Sequence, residues 1–181
     1  ILQASTYSTL TLDTKASNVI SVAESFDTAR GSLMSHVFVF PGQGSQAVGM
    51  GRELAEAFPV ARQVFQEVNE ALGQDLTRLM FEGPEDELTL TANAQPALMA
   101  VSLATMRVLE SMGGINISRD TRLVAGHSLG EYSALAAVGS ISIGDAARIL
   151  RVRGRAMQEA VPVGLGGMAA VPLDLPEARE V

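Results

Sequence analysis

One pentapeptide constrains this chain more than anything else in it: Gly126-His127-Ser128-Leu129-Gly130. The apolar run Leu123-Val124-Ala125 precedes it, and an Ala- and Leu-rich stretch follows as far as Val138. Gly-x-Ser-x-Gly between a buried strand and a helix has the spacing of a nucleophile elbow, with the serine at the tip of a very sharp turn. There the hydroxyl projects freely, and the N-terminus of the next helix offers partial positive charge to any negative charge that develops. Side chains two residues to either side would collide across such a turn, so both places need glycine. The motif predicts strand, turn and helix in that order, with Ser128 as nucleophile.

Upstream, His36-Val37-Phe38-Val39-Phe40 is a continuous apolar run, as expected of a strand buried on both faces of a parallel sheet. The tight loop Pro41-Gly42-Gln43-Gly44 follows it. Acyl transfer at a serine needs N–H donors for the oxyanion. Leu129, directly after the nucleophile, is one candidate. Gln43 is the other, because its flanking glycines let the backbone approach a substrate closely. Gly42-x-Gly44-x-x-Ala47 also fits a permissive dinucleotide-binding fingerprint. That reading asks for an acid at the end of a second strand about 20 residues on. Glu67, the candidate, lies instead within the helical pattern of Val60, Val64, Phe65 and Val68 that follows Pro59. Further helices are expected from Pro96 to about 109 and over 142–160, the second opened by a Ser142-x-x-Asp145 cap. Strands alternating with helices make the fold α/β, an α/β-hydrolase-like subdomain with a parallel sheet.

The helix expected over 142–160 carries a charge in an unexpected place. At about 100° per residue, Arg148, Arg151 and Arg155 share one side, which reads as a solvated face. Arg153 falls among Ala146, Ile149, Leu150 and Met157 on the opposite, apolar side. A buried guanidinium without a partner costs several kcal/mol, so it must meet an anion. Spacing alone leaves two options open: an internal salt bridge, or a fork that grips the carboxylate of a substrate.

Composition removes several function classes. A net charge of −7 argues against nucleic acid or an anionic membrane as partner, and no apolar run approaches the ~18 residues of a membrane span. With no cysteine there is no disulfide, thiolate nucleophile or Cys-based zinc site, and two histidines, His36 and His127, are too few for a histidine metal site. No metal or cofactor is expected, and the cytoplasm is the expected location. Residues 1–33 are rich in Ser and Thr without a clear period, and Met34 stands just before the first strong strand signal. They are expected to be a leader or non-native extension, disordered and contributing little to the fold. The large subdomain is expected over 34–162. Residues 163–181 then form a glycine-rich hinge and the start of a second subdomain, with Met168-Ala169-Ala170-Val171 as a strand.

Four segments together are similar to a known family. Phe38-Val-Phe-Pro-Gly-Gln-Gly-Ser-Gln46, Ala94-Gln-Pro-Ala97, Gly126-His-Ser-Leu-Gly-Glu-Tyr-Ser133 and Arg153-Gly-Arg-Ala-Met-Gln158 resemble the malonyl-CoA:acyl carrier protein transacylases, in continuous order over about 35–171. The resemblance implies that Ser128 takes a malonyl group from malonyl-CoA and passes it to the pantetheine thiol of acyl carrier protein, in fatty-acid synthesis. It implies Gln43 and Leu129 as oxyanion donors and Arg153 as the malonate-binding arginine. It also makes the second subdomain ferredoxin-like. The family's general base is a histidine further downstream, and no histidine follows His127 here. The segment by itself is therefore expected to be catalytically incomplete, since His127, next to the nucleophile on such a turn, points elsewhere. The competing readings are a polyketide synthase-type acyltransferase domain, a serine hydrolase and a dinucleotide-binding module. Arg153 speaks against the hydrolase, because a neutral ester needs no buried cation.

Overall fold

The computed structural model describes residues 7–11, 21–25, 35–161 and 164–166. A four-stranded sheet runs in the order β1 (Tyr7–Thr11), β2 (Ser21–Ser25), β3 (Ser35–Phe40), β4 (Thr121–Gly126). Between β3 and β4 lie α1 (Arg52–Ala57), α2 (Pro59–Leu72), α3 (Leu76–Glu82), α4 (Glu85–Thr89), α5 (Thr91–Met112) and α6 (Ile117–Asp120). After β4 come α7 (Gly130–Ala137) and α8 (Ile143–Ala160). β3 and β4 pair in parallel, which requires a long crossover, and the helices α1 to α6 provide it. The register sets Phe40 opposite Gly126, so the loop after β3 and the turn after β4 leave the sheet side by side.

The sheet is mixed rather than wholly parallel. β1 and β2 pair antiparallel with each other and, through β2, with β3. They fall within 1–33, where no strand is expected from the sequence. The outer edge of β3 carries unpaired backbone groups that a further strand satisfies. The hinge expected from 163 is described only at 164–166, and the strand expected at 168–171 lies outside the described residues.

β3 is buried on one face and not on both. Phe38 and Phe40 are buried with Met106, Ile117 and Ala134 under α5 and α7. Side chains alternate along a strand, and on the other face Val39 is 41% and Leu123 56% exposed; the described residues leave that face uncovered. The larger core gathers Val64 and Phe65 of α2, Leu98 to Leu103 of α5, and Ala146, Ala147 and Leu150 of α8.

The central helix begins five residues earlier than the sequence suggests. α5 starts at Thr91, and Pro96 lies inside it. A proline there removes a single N–H bond, to the carbonyl of Ala92. The unbroken burial of Asn93 to Met106 outweighs that loss. α8 follows its expected cap: Ser142 Oγ accepts from the Asp145 N–H at 3.0 Å.

A charged corner leads into β4. Asp120 accepts from the Asn116 N–H at 2.8 Å and from Arg119 at 2.5 and 2.7 Å, while its carbonyl lies 3.2 Å from His36 Nδ1 on β3. The Arg119 bond first, then the Asn116 N–H, holds its carboxyl down at about 2 against an ordinary 3.8. A depressed carboxylate contributes stability that is fully present above its unfolded value and is lost as pH falls through the folded one. The advantage of wild type over Asp120→Asn should therefore be constant near neutral pH and disappear as pH drops from about 4 to about 2. Urea unfolding of both proteins along that pH series checks it.

Candidate functional site

Ser128 is the only non-glycine among the described residues with a positive φ, at 56°. A side chain in this left-handed region costs roughly 1–2 kcal/mol, so the surroundings must hold it there. The Gly130 N–H bonds to the His127 carbonyl at 2.9 Å and the Glu131 N–H to the Ser128 carbonyl at 3.2 Å. The His127 N–H ties the turn to Phe40 O at 3.1 Å. A Cβ at Gly126 would lie 2.0 Å from the backbone carbon of Gly130, and one at Gly130 would lie 2.4 Å from Phe40 O. Gly126 thus meets backbone across the turn, as the spacing predicts, whereas Gly130 makes room for the end of β3. Ser128 itself is exposed.

The Gln43 loop sits against this turn. A Cβ at Gly42 would come within 2.3 Å of His127 Nδ1, so the His127 ring lies flush on the Gly42 backbone. Gly44 takes φ 124° and donates its N–H to Gln46 Oε1 at 2.9 Å. The Gln43 side chain donates to Thr91 Oγ1 at 3.3 Å, at the start of α5. No side chain caps the start of α7; its first amides, those of Gly130, Glu131 and Tyr132, are taken up by the carbonyls of His127, Ser128 and Leu129.

Arg153 reaches this site from α8. Its Nη2 donates to Ser128 Oγ at 3.0 Å and its Nη1 to Gln95 Oε1 at 2.7 Å. The guanidinium also stands 5.9 Å from the centre of the Tyr132 ring. Among the described residues it has no carboxylate partner. The structure thus brings Ser128, Leu129, Gln43 and Arg153 together, and it adds three residues with no role predicted from sequence: Gln95, Tyr132 and Thr91.

The rest of the Arg153 segment forms the joint between α8 and α5. A Cβ at Gly154 would lie 2.6 Å from both Ala92 Cα and Thr91 O. Gln158 Oε1 accepts from the Ala92 N–H at 2.7 Å and so caps the start of α5 from another helix. The Gln95 amide donates to Met157 Sδ at 3.3 Å.

The neighbouring arginines do not form one solvated face. Arg148 pairs with Asp145 at 2.7 Å and Arg155 is exposed. Arg151, by contrast, is half-buried and donates to Asn93 Oδ1 at 2.5 Å. Burial, and then the charge of Arg155, lower its pKa from the usual arginine value. Glu67 lies exposed in the middle of α2, away from any strand end, so the dinucleotide fingerprint lacks its acid. Among the described residues no group of three His, Asp or Glu side chains is arranged to hold a metal ion, and no helix is long and apolar enough to cross a membrane.

Comparison with known proteins matches the acyl transferase domain family over residues 37–181. The malonyl CoA-acyl carrier protein transacylase of Salmonella typhimurium is 51% identical over 139 residues, 77% of this chain and 44% of that protein. The Bacillus subtilis protein of the same name is 54% identical over 134 residues, 74% and 41% of the two chains. The crystal structure of acyl-carrier-protein-S-malonyltransferase from Bartonella henselae is 58% identical and superposes with a TM-score of 0.73, over 78% of this chain and 45% of that one. This chain spans less than half the length of each.

Proposed function

The chain belongs to the acyl transferase domain family, and from that premise we propose that it is the nucleophile-bearing part of a malonyl-CoA:acyl carrier protein transacylase. Ser128 Oγ attacks the thioester carbonyl of malonyl-CoA. The carbonyl oxygen takes the negative charge between the N–H groups of Leu129 and Gln43. The C–S bond then breaks, CoA leaves as the thiol, and malonyl remains as an ester on Ser128. The pantetheine thiol of acyl carrier protein reverses these steps and carries the malonyl group away. The Ser128 proton needs a base. His127 is packed on Gly42, and His36 begins β3 at the end remote from the elbow. The reading assigns the base to a histidine elsewhere in the protein, as the resemblance implies.

The observation that carries this reading is Arg153, a half-buried cation 3.0 Å from the nucleophile with no carboxylate of the described residues to meet. An acyl group with its own carboxylate a short chain beyond the carbonyl supplies the missing anion, and malonyl is such a group. In this reading residues 34–162 form the large subdomain, 163–181 open the smaller one, and the reaction takes place in the cytoplasm with a soluble carrier. Brief incubation of the complete gene product with labelled malonyl-CoA, followed by peptide mapping, should place one malonyl ester on Ser128. A label on any other residue, or none, overturns the assignment.

A further inference from the structure

We propose that Gln95 is a positioning residue that sets the preference for carboxyl-bearing acyl groups, by holding Arg153 in place without neutralising it; this rests on the function proposed above. Gln95 is 1% exposed, and a buried side-chain amide must be satisfied. Its oxygen accepts from Arg153 Nη1 at 2.7 Å and its nitrogen donates to Met157 Sδ at 3.3 Å, one turn further along α8. Both ends of the amide are thus fixed by the helix that carries the arginine, which sets the direction of the carbonyl.

The backbone beneath Gln95 is fixed as well. Gly154 lets α8 touch the first turn of α5 at Thr91 and Ala92, and Gln158 bonds to the Ala92 N–H. Arg153 therefore projects toward Ser128 from a rigid corner, with Nη1 held and Nη2 presented to the nucleophile. The chemistry of the holder matters. A carboxylate at this position would anchor the guanidinium equally well but would cancel its charge and leave little attraction for a substrate carboxylate. A neutral amide orients the fork and keeps the full positive charge for the ligand. Gln95 touches no reacting atom, and its whole effect passes through Arg153.

The test compares malonyl-CoA with acetyl-CoA as acyl donors to Ser128 in the complete gene product. Gln95→Glu keeps size and acceptor but adds a negative charge, and it should raise KM for malonyl-CoA about 10- to 100-fold while acetyl loading stays within about twofold. Gln95→Met, which lacks the acceptor, should lower the malonyl-to-acetyl ratio of kcat/KM by a similar factor. In an Arg153→Ala background neither change should alter the ratio further, because the effect has lost its carrier. An unchanged ratio in Gln95→Glu, or equal losses for both donors, overturns the proposal. If Gln95→Met does not fold, Gln95→Glu and its double variant decide alone. If wild type takes no malonyl on Ser128, the functional reading has failed rather than the role of Gln95.

Discussion

Replacing Ser128 with alanine is expected to abolish malonyl transfer, lowering kcat by about a million-fold. The size of the loss follows from the chemistry. Transfer through a serine ester divides one difficult exchange into two easier ones, and alanine offers no atom to which the acyl group can bond. The proposed oxyanion donors at Leu129 and Gln43 would survive the change, so whatever rate remains would measure them and substrate binding alone. The fold should survive too. Alanine sits at φ 56° with the same strain as serine, and the bonds that hold the turn, from His127, Gly130 and Glu131, are all backbone. Malonyl transfer to acyl carrier protein, followed alongside thermal unfolding of the complete gene product, checks both parts. Transfer retained within tenfold of wild type would remove Ser128 from the mechanism.

Much of this geometry was legible in the sequence because it depends on local contacts. Gly126 is dictated by a turn five residues long, whose far side its Cβ would strike at Gly130. The start of α8 is marked by Ser142 and Asp145, three residues apart. Where contacts come from far along the chain, the sequence carries little sign of them. α5 is buried on every side from Asn93 to Met106, so that stretch has no hydrophobic period to locate the start of the helix, and no capping side chain precedes it. Its cap comes from Gln158, 66 residues away. Arg151 looks solvated on a helical wheel, yet Asn93, 58 residues away, takes it inward. Gln95 stood in a recognised segment without a role, and only the approach of α8 gives it one. Arg153 was visible as a charge among apolar neighbours, but spacing could not decide between a salt bridge and a ligand. Its actual neighbours, Gln95, Ser128 and Tyr132, carry no full negative charge.

Arg153→Ala should separate those two options by the pattern of its effects. If the guanidinium grips the substrate carboxylate, kcat/KM for malonyl-CoA should fall by roughly 30- to 5,000-fold, the range of about 2–5 kcal/mol that a buried hydrogen-bonded charge pair commands. Acetyl-CoA has no carboxylate to lose and should not fall with it. Arg153→Lys keeps the charge but cannot fork between Gln95 and a ligand, so it should lie between alanine and wild type. Stability changes for a different reason. Removing the arginine strands Gln95 Oε1 in the interior, which costs about 1–3 kcal/mol, and chemical denaturation of the complete gene product should show that loss whatever the donor. A scaffold arginine would give the stability loss with equal decline for both donors. A malonyl-specific decline together with a modest loss of stability is the signature of a side chain held by the fold and used by the substrate.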